Sequence, residues 1–306
     1  MSLYYFNFMT REEALGTVKT SQDANAVTLA LSALIKIGTI ADISVLMPIA
    51  SSSAANPTVK KLAVEAICSI IKESMLTRFN ELTPDMRQKL ATILQTLDPK
   101  IIGEIRKDLL SNNNERRLSA LQMLGILRRH PRVKDLLAEL LQDRDPKIKA
   151  TAVSLLGKML GPNDQQMVMG LLNDPDKRVR ANTVEALESL GNPRIAPILY
   201  KYRKEQNNRI RGNVLKALYN LGHTDIEEDL YEMLNAKEPM HKASALWVIS
   251  KIKYNKSPKI LDASGACLLC DNKIVRKNAV DALTALKTPR ATGYMKYLGE
   301  VFKGYE

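Results

Sequence analysis

Cys267 and Cys270 have the Cys-x-x-Cys spacing of a metal or redox pair. A structural zinc site needs a second pair of Cys or His residues, and a thioredoxin-like site needs a preceding strand; the sequence offers neither. The two cysteines lie in the apolar run ACLLC, and Cys68 follows the apolar Ile67. We interpret all three cysteines as small core residues. A metal or redox role for Cys267 and Cys270 is the alternative.

The other residues that could do chemistry are scattered. His130, His223 and His241 are far apart in the sequence and fall near predicted helix ends or turns. The sequence contains no phosphate-binding loop, no nucleophile elbow of the serine hydrolases and no His-Glu-x-x-His motif. It therefore predicts no catalytic residue, no metal site and no cofactor, and it indicates a protein that works by binding.

Basic residues recur at intervals of 27 to 34 residues, and two further arginines lie one or two positions before members of this series. We call this set the basic column and take it as the candidate partner-binding site. Its members are Lys60, Arg87, Arg116, Arg117, Lys149, Arg180, Arg209, Arg211, Lys242 and Arg276. Such a column either attracts the anionic groups of a partner or forms ion pairs within the array. Asp143 and Asp174 could form such pairs with Lys149 and Arg180, and the sequence leaves both interpretations open.

The turns before four of these arginines differ from the others. Asparagine stands at positions 112–114, 207 and 208, where two other turns carry aspartate at 143, 145, 174 and 176. Asparagine can cap a helix, but it does not neutralise a cation. We therefore expect the four arginines to be more exposed and less paired than Arg178 and Arg180. They are Arg116, Arg117, Arg209 and Arg211.

The basic column is one line of a repeat. Segments 145–160, 176–191 and 208–222 align without a gap at a period of 31 residues. Nine registers share apolar residues five, eight and eleven positions after an anchor, and these offsets follow one face of a 3.6-residue helix. The anchors are Ala26, Val59, Met86, Arg116, Ile148, Val179, Ile210, His241 and Val275.

Each of these nine helices has a predicted start three residues before its anchor. The residues there are Asp23, Asn56, Thr83, Asn113, Asp145, Asp176, Asn207, Glu238 and Asn272. All but Glu238 are good N-caps, and Pro57, Pro84 and Pro146 take the next position, where proline is tolerated. Shorter amphipathic runs, such as QQMVMGLL at 165–172, precede most of these helices. The unit is therefore a helical hairpin, and stacked hairpins share a continuous core.

The segments DRDPKIKATAVSLLG (143–157) and DPDKRVRANTVEALESLG (174–191) resemble HEAT repeats of the short bacterial, phycobilisome-lyase-like type. The resemblance covers about 21–287. It implies a right-handed superhelix in which the second helix of each hairpin lines the concave side. The family includes scaffolds, transport adaptors, chromophore lyases and DNA glycosylases. The glycosylases place a catalytic carboxylate among aromatics, but no carboxylate here matches their motif, and we interpret Trp247 in ASALWVI as a core residue.

The charge of the chain is unevenly distributed. Residues 1–75 hold six basic and six acidic residues, so the net charge of +12 arises from the 39 basic and 27 acidic residues of 76–306. A field of this sign attracts anionic partners. No run approaches the roughly 18 apolar residues of a membrane span. The N-terminus lacks the pattern of a secretory signal, and three cysteines make no disulfide framework, so we expect a cytoplasmic protein.

These observations predict an all-α protein, an α-solenoid of about nine HEAT-like helical hairpins in a single domain, 1–306. Its repeats span 21–287 between an N-terminal cap, 1–20, and a C-terminal cap, 288–306. The aromatic ends, LYYFNFM (3–9) and YMKYLGEVFKGY (294–305), are interpreted as caps, with docking or self-association as the alternative.

The predicted function is that of a non-enzymatic scaffold or adaptor that binds an acidic protein partner on its concave face. The alternative is nucleic-acid binding through the basic column. Stacking of bases on aromatic side chains usually accompanies such binding, and aromatics are scarce in the second helices. A HEAT-like DNA glycosylase or a relative of the chromophore lyases is a weaker alternative, and the sequence does not fix the oligomeric state.

Overall fold

The computed structural model describes residues 9–303, with side chains for residues 9–297. These residues form eighteen α-helices and no strand. The chain divides into two compact units, Met1–Leu136 and Leu137–Glu306. The all-α solenoid predicted from the repeat is confirmed. The single domain with caps at 1–20 and 288–306 stays a prediction, and positions 3–8 of the N-terminal aromatic run lie outside the described residues.

The first unit is built from paired helices. They are α1 (Arg11–Thr20), α2 (Ala24–Ile37), α3 (Ile43–Ser51), α4 (Pro57–Thr77), α5 (Pro84–Leu97), α6 (Ile101–Leu109) and α7 (Asn114–Ile126); α8 (Arg132–Glu139) contains the boundary of the unit. Helices α2, α4 and α7 pack in succession, and α1, α3 and α6 pack on them as the first helices of the hairpins.

Helix α5 departs from the predicted pattern. The repeat made it the second helix of a hairpin, but only a 3₁₀ turn, Phe79–Glu81, lies between it and the 21-residue helix α4. No first helix is therefore left for α5, which packs instead against both α4 and α7. The described residues form eight helical pairs plus α5 and a C-terminal helix, where about nine pairs were predicted.

The second unit continues with long second helices and short first helices. They are α9 (Pro146–Leu156), α10 (Gln166–Met169), α11 (Lys177–Ser189), α12 (Ala196–Tyr200), α13 (Asn208–Asn220), α14 (Glu227–Leu234), α15 (Pro239–Ile252), α16 (Pro258–Ala266), α17 (Lys273–Leu286) and α18 (Pro289–Lys303). The second helices α9, α11, α13, α15 and α17 pack side by side in this order. Helix α18 packs against α16 and α17, and Tyr294 on it donates its hydroxyl to Asp262.

The apolar columns form the core as predicted. All nine residues eight positions after the anchors are 0–1 % exposed; they are Leu34, Ile67, Leu94, Leu124, Leu156, Leu187, Leu218, Ile249 and Leu283. Burial weakens eleven positions after the anchor, where Ile37 is 41 % exposed. Gly191 and Gly222 follow α11 and α13 with φ of 61° and 95°, which suits glycine because it has no Cβ.

The helix starts are also as predicted. Eight of the nine predicted N-caps accept a hydrogen bond from a backbone N–H in the first turn, and Glu238 does not. Thr10 and Glu13 form the expected capping box of α1. No helix within residues 9–303 is both long and apolar enough to cross a membrane.

Candidate functional site

Three arginines of the basic column bind backbone carbonyl oxygens at the end of the preceding first helix or in the turn after it. Arg117 donates its Nε to the Leu109 oxygen at 2.8 Å. Arg180 and Arg276 donate in the same way to the turn residues five and six positions before them, at 2.8–3.2 Å. The last carbonyl groups of a helix have no partner within it. These arginines therefore join the two helices of one hairpin.

Other cations of the basic column bind acidic residues of the next hairpin. Lys149 donates to the Asp174 carboxylate at 2.6 Å, and its side chain is 19 % exposed. Arg211 is paired with Glu232, 21 residues further along the chain, and lies 3.6 Å from Asp229. The sequence pointed to Asp174 as a partner for Arg180, but Asp174 gives Arg180 only its backbone oxygen.

The predicted exposure of the arginines beside asparagine turns is wrong for three of the four. Arg117 and Arg211 are buried, 7 % and 9 % exposed. Arg116 binds both carboxylate oxygens of Glu73 and also Asp108, and these bonds raise the pKa of Arg116. The asparagines indeed offer no charge. The neutralising carboxylates instead come from other helices.

Arg209 is the member of that group that is exposed, at 52 % of its side chain against 49 % for Arg178. It still contacts Glu185 at 3.2 Å and donates to the Asn182 side chain at 2.8 Å. Arg178 is paired too, with Asp176 at 2.8 Å. Greater exposure is therefore confirmed for Arg209, whereas weaker pairing is not.

The remaining members of the basic column make fewer contacts. The Arg87 guanidinium lies 4.4 Å from the centre of the Phe79 ring. Lys60 and Lys242 are half-buried, and neither forms an ion pair with another described residue. Most of the column is thus engaged within the protein. Its role in binding a partner stays a prediction.

All three cysteines are at least partly buried. Cys267 is buried and Cys68 and Cys270 are half-buried, and all three are free thiols. Burial raises the pKa of Cys68 to about 12 and that of Cys267 to about 11. Both thiols are therefore protonated at neutral pH, which disfavours metal binding and nucleophilic chemistry.

The histidines make separate local contacts. His223 Nδ1 lies 3.3 Å from the Tyr200 hydroxyl, and His130 Nδ1 accepts a hydrogen bond from the Arg132 N–H at 3.3 Å. His241 lies 3.8 Å from Glu238. Across the described part of the chain, no three His, Cys, Asp or Glu side chains come together as a metal site would require.

Trp247 was interpreted as a core residue, but it is half-buried and lines a cavity of about 470 Å³. We call this cavity the second-helix groove, because its walls come from α11, α13, α15 and α17. The lining residues are Glu185, Asn208, Arg209, Gly212, Asn213, Met240, Ala243, Ser244, Trp247, Ile274 and Asn278. Met240 and Ile274 are 45 % and 50 % exposed. The groove therefore offers apolar side chains to solvent.

Asparagine side chains connect the second helices beside the groove. Three of them donate an amide hydrogen to a backbone oxygen of the preceding second helix. The bonds are Asn182 to Ala150 at 2.7 Å, Asn213 to Ala181 at 3.1 Å and Asn278 to Ala243 at 2.9 Å. We call them the rungs of an asparagine ladder. All three lie three positions after their anchors, so this periodicity could also have been read from the sequence.

The whole arrangement is an α-solenoid, and comparison with known proteins assigns its repeats. Residues 104–188, 134–218 and 163–234 match the model of HEAT repeats. Residues 104–234 are therefore HEAT repeats. The match does not distinguish the phycobilisome-lyase-like subtype, which stays a prediction. No curated protein matches the chain.

Two solved structures show the same fold. Yeast importin-β (Kap95p) is 12 % identical with a TM-score of 0.52, covering 96 % of this chain and 48 % of its own. A structure of Kap95p with RanGDP is 12 % identical with a TM-score of 0.50, covering 94 % of this chain and 47 % of its own. The chain thus spans about half the length of these solenoids. At this identity the likeness concerns the fold.

Proposed function

We propose that this HEAT-repeat protein is a non-enzymatic scaffold that binds an acidic protein partner along its second helices. The observation that carries the proposal is the second-helix groove, where Trp247, Met240 and Ile274 offer apolar surface to solvent. Contiguous apolar surface edged by polar residues is typical of protein interaction sites. Kap95p, a solenoid of the same fold, binds RanGDP, so this fold can present a surface to another protein.

The acidity of the partner follows from charge. The excess of 12 positive charges lies in residues 76–306, and part of it stands beside the groove. Lys273 and Lys277 on α17 are exposed, and within residues 9–297 neither has an ion-pair partner. Unpaired surface charges speed association with a partner of opposite sign and make it sensitive to salt.

Nucleic-acid binding through the basic column is the second candidate. Its main support was a line of free cations, and most of those cations now have partners inside the protein. Binding to phosphate chains needs cations that are free to neutralise phosphates. The protein partner is therefore the better-supported proposal.

We also place the protein in the cytoplasm, because all three cysteines are free; fractionation of the native host checks this.

The test is recovery of the tagged chain from nuclease-treated extracts of its native host. We expect an acidic protein to co-purify, and Lys273→Glu with Lys277→Glu should weaken its recovery. The control, Lys19→Glu with Lys36→Glu, makes the same change of net charge at exposed lysines of the first unit and should leave recovery unchanged. Recovery of nucleic acid alone, from extracts without nuclease, would contradict the proposal.

A further inference from the structure

The second-helix groove lies where the asparagine ladder lacks a rung. Asparagine donates to the preceding second helix from α11, α13 and α17, but α15 carries Ser244 at the corresponding position. The acceptor position on α13 is also unusual, because Gly212 stands where α9, α11 and α15 have alanine. Both residues line the groove. Each removes side-chain atoms from the same place between α13 and α15.

The polar groups around this gap already have partners. Asn208 on α13 donates its amide to Ser244 Oγ at 2.7 Å and to the Met240 backbone oxygen at 3.2 Å. Asn213 donates to Glu185 at 2.7 Å in addition to its rung. The Asn208 bonds hold α13 and α15 together, and the Asn213 bonds hold α13 to α11, while the cavity stays open. A preformed cavity with fixed walls costs little to organise when a ligand binds.

Three apolar side chains line the gap, and two of them, Met240 and Ile274, are exposed. Trp247 and Met240 stand on α15, and Ile274 stands on α17. The Lys216 ammonium lies 5.6 Å from the centre of the Trp247 ring. Apolar and aromatic walls with a few polar groups are typical of sites that take an apolar side chain. A peptide side chain of leucine or phenylalanine fits this description.

The charged residues beside the walls indicate which residues should flank that apolar side chain in the bound peptide. Lys251 lies one turn beyond Trp247 on α15, and Lys273 and Lys277 flank Ile274 on α17. All three lysines are exposed, and in the described part of the chain none forms an ion pair. Arg209 and Lys216 are neutralised by Glu185 and Glu188, and the exposed acids of this segment are Glu238, Asp271 and Asp281.

We propose that the gap in the asparagine ladder binds a peptide segment of the partner with an apolar side chain flanked by acidic residues. The apolar side chain packs between Met240, Trp247 and Ile274, and the carboxylates face Lys251, Lys273 and Lys277. This assignment rests on the proposed scaffold function and names the segment that the scaffold recognises. Contact with these three unpaired lysines disfavours basic segments, because like charges repel.

The experiment restores the missing rung. In Ser244→Asn, the new amide should donate to the Gly212 backbone oxygen, as the three existing asparagines do at their positions, and its side chain should fill the gap. Thr284→Asn is the matched control, because it places the same residue on exposed α17 surface outside the groove. Ile274→Glu is a second blocking variant at a half-exposed wall position, where folding should tolerate the change.

The probes are displayed random peptides of about twelve residues, selected on the full chain. Selected peptides without tryptophan are then titrated while the emission of Trp247, the one tryptophan of the chain, is recorded. We expect the selected peptides to share an apolar residue flanked by Asp or Glu. We also expect their binding to shift the emission of Trp247. Ser244→Asn and Ile274→Glu should each weaken binding by roughly tenfold or more, and Thr284→Asn should not.

Three results with peptides would overturn the assignment. They are a selection that yields no binding peptide, peptides without acidic residues, and equal binding to the wild type and to Ser244→Asn. A nucleic acid that shifts Trp247 emission and displaces the selected peptides would also overturn it. If the native partner co-purifies equally with Ser244→Asn and the wild type, the scaffold function stands and only the groove is wrong.

Discussion

At the scale of single residues, the positions of the basic side chains could be read from the sequence, but their ion-pair partners could not. Lys149 pairs with a carboxylate 25 residues away and Arg211 with one 21 residues away. Which acid reaches a given cation depends on how consecutive hairpins pack. The local rule that an asparagine turn leaves its arginine free therefore failed for Arg117 and Arg211, which are buried.

The cap of α11 predicts a pH-dependent stability. Asp176 accepts hydrogen bonds from the Arg178 side chain and from backbone N–H groups, and these lower the pKa of Asp176 to about 2. An aspartate in an unfolded chain has a pKa of about 3.9. A carboxyl with a lowered folded pKa stabilises the fold above the unfolded pKa and loses this contribution as pH falls through the folded pKa.

Asp176→Asn keeps the capping oxygen and removes the charge. We expect the wild type to have the larger free energy of unfolding above about pH 4, and the difference should shrink as pH falls and be lost below about pH 2. Urea unfolding at each pH measures this difference. In an Arg178→Ala background the difference should shrink, because Arg178 is the largest cause of the lowered pKa. A difference that does not change with pH would mean that the substitution acts through packing and not through the charge of Asp176.

At the scale of helices, capping and periodicity predicted the residue at which each capped helix begins. Asn207, for example, caps α13, which begins at Asn208. The first helices were less predictable. A single amphipathic run was expected over 165–172, but α10 covers Gln166–Met169 and a 3₁₀ segment follows over Gly170–Asn173. Helices this short owe their form to packing, which sequence propensity does not encode.

The asparagine ladder makes a prediction for the pair α11 and α13. Asn213 is 1 % exposed and donates to the Ala181 oxygen and to Glu185. Asn213→Ala should lower the free energy of unfolding by about 1–3 kcal/mol, because it removes two hydrogen bonds donated by a buried amide. Urea unfolding measures the loss. Asn220→Ala, which removes an exposed bond to Glu188, is the control and should cost clearly less. Equal losses would show that the rung adds nothing to stability.

At the scale of the whole molecule, the repeat and its family were evident from the sequence, whereas the site was not. The groove needs four second helices side by side, and its opening depends on two departures from the repeat columns, Gly212 and Ser244. Both departures could be read in the sequence. Their combined effect, an open groove, could not be predicted, because only the structure shows that an asparagine on one second helix donates to the second helix before it.

The stacking of hairpins also determines how far a local defect should spread. In repeat arrays each hairpin contacts only its neighbours, so stability is close to a sum of local terms. Leu215 on α13 is 0 % exposed, and α13 packs against α11, α12 and α15. Leu215→Ala should cost about 2–5 kcal/mol through the cavity it leaves. Hydrogen exchange followed by mass spectrometry locates that loss.

Protection should fall most in α11, α13 and α15, while α2 and α4 of the other compact unit keep theirs. Lys201→Ala, an exposed position beside α12, is the control and should leave protection unchanged throughout. A uniform loss across the described helices would mean that the chain unfolds as one cooperative body. In that case the sum of local terms would not apply, and a partner bound at the second-helix groove would stabilise α2 and α4 as much as α13.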